Sequence, residues 1–190
     1  MTRTAGILLA GGRSTRYGSP KAFAVEQGEY YYERAYAALA LVSDPVVIVS
    51  LDELQPRFPA GRLVIADRER YRGCGPLAGI YSGMLELEAE RYVILPCDMP
   101  YITGAGLSAL LSAMPAGADV CAARLDGRLH PLVSCWKRSM LEPLQAALDQ
   151  RRYGVLRLLE QANTVWLDGD SLFADARHAL RNINRPDQIE

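Results

Sequence analysis

The sequence has almost no charge bias: 21 Lys and Arg stand against 22 Asp and Glu, for a formal net charge of −1. No field of one sign therefore gathers nucleic acid or an anionic membrane at long range, and any anion must be held locally. Cysteine is scarce as well. Cys74, Cys97, Cys121 and Cys135 are widely spaced and form no CxxC pair, which argues against a zinc site and against thioredoxin-type chemistry. Reduced thiols suit a cytoplasmic protein. The apolar run at residues 5–10 is closed by glycines and is too short for a signal peptide or a membrane span. A cytoplasmic protein with neither membrane nor nucleic acid as partner is expected. Both GxxxxGKS/T and GxGxxG are missing too, so kinase and dehydrogenase readings lose support.

What the chain does have is apolar substance. At 190 residues and 49% hydrophobic composition it can bury one substantial core, and a single domain over 1–190 is expected. Apolar runs of strand length recur at 6–10, 46–50, 63–66, 92–96, 120–123, 132–136 and 164–167. Their continuity predicts a sheet covered on both faces. Between them, 31–41, 77–87, 104–114 and 139–148 repeat apolar residues every three or four positions, as amphipathic helices do. The alternation predicts a three-layer α/β/α fold with a mostly parallel, Rossmann-like sheet. Ligands then belong beyond the carboxyl ends of the strands, near a switch in strand order. The loops after Ala10 and Pro96 are the places to look. Turn residues at 125–131 divide the later strands and predict an excursion that covers the far side of such a site.

Residues 9–21, LAGGRSTRYGSPK, follow the first strand at once. Gly11 and Gly12 let the backbone approach phosphate with no Cβ in the way, and successive amides in such a loop form an anion-binding concavity. Arg16 and Lys21 would neutralise a polyphosphate. The competing reading is a solvated turn with incidental basic residues. A second loop, LPCDMP at 95–100, runs an apolar strand directly into Asp98. One carboxylate at a strand end can hold Mg²⁺ when phosphate oxygens supply the remaining ligands. The competing reading makes Asp98 the N-cap of the next helix. His130 either contacts a second substrate or fills a polar niche.

These loops, together with GPLAG at 75–79, carry a resemblance to the molybdenum cofactor guanylyltransferases. The pattern there is LAGG, three variable residues, Arg-Met-Gly and a short gap to Asp-Lys. An Asp ahead of GPLAG, a PCDMP segment, an HP strand and a terminal NxN-Thr-Pro follow. The chain offers Leu9–Gly12 at 9–12, Arg16, Gly18, Lys21, Asp67, 75–79, 96–100, His130-Pro131 and NIN at 182–184. It departs at Tyr17, Pro20 and Arg185, where the pattern has Met, Asp and Thr. A GxPK ending is familiar in the related cytidylyltransferases, which usually read LAAG where this chain reads LAGG.

The resemblance implies the nucleotide-diphospho-sugar transferase type of sheet, and transfer of GMP from GTP to the terminal phosphate of molybdopterin or molybdenum cofactor. It implies that Leu9, Ala10, Gly11 and Gly12 seat the nucleotide, with Gly75 and Gly79 lining it and Asp67 touching base or ribose. It makes Arg16 and Lys21 phosphate ligands and Asp98 the holder of Mg²⁺. Asn182, Asn184 and His130 would face the acceptor, and cofactor-delivery proteins would be partners. An acceptor that is already an anion needs no general base, which fits the lack of any evident Ser/His/Asp or Cys/His arrangement. The alternatives are CMP transfer to molybdopterin, nucleotide transfer to a sugar phosphate, and a regulatory protein that binds nucleotide without chemistry.

Overall fold

Apolar strands with little polar alternation need cover on both faces, and the computed structural model, which describes residues 3–12 and 20–183, supplies it. In chain order the strands are β1 (Thr4–Leu9), β2 (Val25–Glu26), β3 (Glu29–Tyr30), β4 (Val46–Val49), β5 (Leu63–Ile65), β6 (Arg91–Pro96), β7 (Val120–Leu125), β8 (Arg128–Lys137) and β9 (Thr164–Asp168). β2 and β3 pair as a small hairpin; the others form one sheet in the order β5-β4-β1-β6-β8-β7-β9. β8 alone runs against its neighbours. The mostly parallel α/β expectation holds.

The helices are α1 (Tyr31–Ala40), α2 (Pro76–Glu86), α3 (Gly104–Ser112), α4 (Leu141–Asp149), α5 (Val155–Leu159), α6 (Gly169–Leu172) and α7 (Ala176–Ala179). Successive strand residues point to opposite faces, so Ile7 and Leu8 enter different cores. Leu8, Ile48 and Leu95 pack with α1, α3, α6 and α7. Ile7, Val47 and Ile94 pack with α2, α4 and α5. α2 lies close on β1 because Gly83 has no Cβ; one there would sit 2.8–2.9 Å from three side-chain atoms of Ile7.

β1 is flanked on its two sides by β4 and β6, both parallel to it. Strand order therefore switches at β1, and the crevice past its carboxyl end is where such folds bind ligands. The excursion expected at 125–131 takes another form. β7 and β8 join in a tight hairpin through Asp126 (φ 49°) and Gly127 (φ 76°), the Asp-Gly pair that a two-residue turn with two positive φ angles favours. The irregularity lies within β8: Ala122 pairs with Ser134 but Ala123 pairs with His130, which leaves residues 131–133 bulged. The Ser134 hydroxyl pins the bulge by donating to the Pro131 carbonyl at 2.8 Å.

Candidate active site

Beyond the carboxyl ends of β1, β4 and β6 opens a cavity of about 1050 Å³. Leu9, Ala10, Gly11, Gly12, Lys21, Asp67, Gly75, Gly79, Asp98, His130 and Asn182 all line it. Residues as much as 173 positions apart thus meet at one strand-end crevice. Arg16 and Asn184 lie outside the described residues.

The first wall comes from the strand ends and α2. Ala10 N–H donates to the Val49 carbonyl at 2.8 Å, and Cys97 N–H donates to the Leu9 carbonyl at 3.0 Å. These bonds fix the exit of β1, after which no atom of the described residues lies within 4 Å of a Cβ added at Gly12. Gly75, at φ 78°, turns the chain into α2, and Pro76 follows at the first helical position. A Cβ on Gly79 would meet Leu9 Cδ2 at 2.8 Å, so the missing side chain is what lets α2 sit beside Leu9. Asp67 accepts the Gly73 N–H at 3.2 Å. Burial pushes the Asp67 carboxyl above its ordinary value, with the Gly73 bond and the Arg72 charge pulling the other way.

At the centre Lys21 Nζ meets Asp98 Oδ2 at 2.9 Å, both side chains mostly buried. Asp98 does not cap the next helix. That role falls to Thr103, whose Oγ1 accepts the Gly106 N–H at 3.2 Å, so the Asp98 carboxylate is left to the cavity. The adjacent Cys97 thiol is pushed up by burial and by the Asp98 charge. It stays protonated and is no nucleophile. Among the described residues no group of three or more His, Cys, Asp or Glu could hold a metal. The donor set is one carboxylate at a strand end, which suits a hard cation that arrives with phosphate oxygens and does not suit a closed protein cage.

The opposite wall is the start of β8 and the chain near Asn182. His130 is buried, and desolvation, with the Arg128 charge, lowers its pKa. Asn182 Oδ1 is shut from solvent without a hydrogen-bond partner among the described residues. Its neighbour Ile183 anchors the segment: fully buried with Ala24, Tyr31 and Tyr101, it donates its N–H to the Asp98 carbonyl at 3.0 Å. The middle residue of NIN thus ties residues 182–183 to the loop after β6, and Tyr31 serves that anchor. Sequence reasoning missed this, and missed Ser50–Glu53 at 50–53, Arg72 and Arg128 on the cavity wall. Residues 50–53 follow β4, where the strand-end rule already pointed.

Comparison with known proteins agrees with this fold. The model of the MobA-like NTP transferase domain matches residues 6–165. A protein of Halalkalibacterium halodurans named "probable molybdenum cofactor guanylyltransferase" is 38% identical over 188 residues, 97% of this chain and 94% of that one. The crystal structure of molybdopterin-guanine dinucleotide biosynthesis protein A from Archaeoglobus fulgidus superposes with a TM-score of 0.81 at 25% identity, over 96% of this chain and 93% of that one. A CMP:2-keto-3-deoxy-manno-octonic acid synthetase solved with CTP shares the fold, with a TM-score of 0.74 at 14% identity over 98% and 95% of the two chains.

Proposed function

We propose, for a chain that belongs to the MobA-like NTP transferase family, a guanylyltransferase reaction: GMP passes from GTP to the terminal phosphate of molybdopterin or molybdenum cofactor, and pyrophosphate leaves. The observation that carries this reading is the single cavity lined at once by Gly11 and Gly12, the Lys21–Asp98 pair and Asn182. The whole chain is taken as one catalytic domain.

An oxygen of the acceptor phosphate attacks the α-phosphorus of GTP, a new P–O bond forms, and the bond to the β-phosphate's bridging oxygen breaks. The nucleophile is already anionic, so the protein's work is alignment and charge neutralisation. Gly11 and Gly12 present backbone amides to the phosphates. Leu9 and Gly79 border the base, and Asp67 reaches base or ribose. Lys21 takes up charge that develops on the leaving pyrophosphate. Asp98 would hold Mg²⁺ together with phosphate oxygens. When bound, that ion neutralises charge on the phosphates and orients them. Asn182 brings its carbonyl oxygen, unpartnered among the described residues, to the acceptor side, with His130 beside it.

The test is product identity. Incubation with GTP, Mg²⁺ and molybdopterin is expected to give a species heavier than the acceptor by one GMP residue in mass spectrometry. GTP recovered intact beside unmodified acceptor would refute the reading.

A further inference from the structure

We propose that Arg128 is the cation that receives the terminal phosphate of the acceptor, a role that rests on the guanylyltransferase reading above. Lys21 is engaged by Asp98 at 2.9 Å, and Arg72 by Asp52 at 3.1 Å. Arg128 lines the same cavity and has no carboxylate within ion-pair distance among the described residues. The acidic group nearest to it in sequence, Asp126, is held by Arg177 at 3.0 Å.

Placement decides which phosphate it meets. In the sheet β6 lies between β1 and β8, so Asp98, at the end of β6, separates the glycine loop from Arg128. The ladder between β6 and β8 ends at Ile94 and Ser134, and the earlier part of β8 runs on past it to form the cavity wall. Displacement at the α-phosphorus is in line, so entering and leaving groups occupy opposite sides. With pyrophosphate leaving toward the glycine loop and Lys21, the acceptor enters from the β8 side. A phosphate monoester brings close to two negative charges, and a guanidinium meets two of its oxygens at once. The neighbouring His130 is buried, and burial disfavours its charged form, which leaves Arg128 to supply the charge on this wall. The bulge at 131–133, pinned by Ser134, fixes the strand from which it projects.

The experiment compares full-length wild type with Arg128→Ala and Arg128→Lys, each first checked for native melting. Steady-state pyrophosphate release gives KM for each substrate, and calorimetry gives GTP affinity without acceptor. Fluorescence titration reports acceptor binding without turnover. Arg128→Ala is expected to raise acceptor KM and weaken acceptor binding roughly ten- to hundredfold, with GTP affinity kept within about twofold. Lysine should restore part of the loss, because the charge returns without the fork. Unchanged acceptor KM in an active, folded Arg128→Ala protein would overturn this inference alone. An equal loss of GTP affinity would overturn it too, by making Arg128 a nucleotide ligand. A wild type that releases no pyrophosphate with acceptor would instead overturn the parent reaction.

Discussion

Two glycines one turn apart on α2 separate function from stability. A Cβ at Gly79 falls 2.8 Å from Leu9 Cδ2, the far end of a flexible side chain that borders the cavity. Leu9 can swing aside, and the direction open to it is the cavity. The off-rotamer cost of about 0.5–1.5 kcal/mol is largely offset by the gain of about 0.5–1 kcal/mol that alanine brings to a helix interior. Gly79→Ala should therefore melt close to wild type. The displaced Leu9 intrudes on the nucleotide, and overpacking of that order, about 1–3 kcal/mol, weakens GTP binding roughly 5- to 150-fold. Gly83→Ala meets a different neighbour. Three atoms of the fully buried Ile7 lie at 2.8–2.9 Å, and Ile7 has no empty space to enter. Net of helix propensity the cost is about 1–2 kcal/mol, or roughly 2–8 °C in Tm, with GTP affinity of the folded protein unchanged. Paired melting curves and calorimetric GTP titrations test both. Wild-type affinity in Gly79→Ala, or a loss of affinity in Gly83→Ala that exceeds its loss of folded fraction, would refute the placement of Leu9 against the nucleotide.

Lys21→Ala should lower turnover roughly 10²- to 10³-fold in stopped-time pyrophosphate assays, as the loss of one preorganised charge does, while Tm moves by only a few degrees. Asp98→Ala should lower turnover and move its Mg²⁺ dependence to higher concentration, because one ligand of the ion is lost while the phosphate oxygens remain; a titration curve that keeps its wild-type midpoint would place the ion elsewhere. His130 has a folded pKa below its ordinary value of 6.5, because burial disfavours the imidazolium. The folded chain then binds that proton less readily than the unfolded one, so the stability is present above 6.5 and is lost as pH falls through the folded value. Melts between pH 7.5 and 5 should show a smaller loss for His130→Gln than for wild type. Asp67 is the converse case. Its carboxyl is raised above 3.8, so the stability tied to its proton is present below 3.8 and lost as pH rises through the folded value. Asp67→Asn should melt higher than wild type at pH 7, with the advantage gone in acid, and should bind GTP more weakly.

The parts of the fold that show in the sequence are those whose burial leaves a pattern. β1, β4 and β6 are nearly uniform apolar runs because both faces are covered, and α1 and α2 carry spaced apolar residues because one face is. The direction of β8 leaves no such trace, since a strand reads alike in either sense. Asp126-Gly127 did signal a turn, but its hairpin, and the bulge after it, are set by pairing with β7. α5, α6 and α7, of four or five residues, are too short to establish a period. Within the site, Gly11, Gly12 and Asp98 stood out because glycine and acid at strand ends are chemically unusual. Asp52, Arg72 and Arg128 did not, because charged residues on loops and hairpins are ordinary until the fold brings them to one cavity. Ile183 was hidden by its plainness: nothing in an isolated isoleucine says that it plugs against Tyr31 and Tyr101 beneath Asp98.

The most direct measurement is pyrophosphate release with GTP, CTP and ATP in turn, each with Mg²⁺, in the presence and absence of molybdopterin-bearing acceptor. Release that depends on the acceptor and occurs with GTP is the predicted result; a preference for CTP, or nucleotide binding with no release at all, would contradict it.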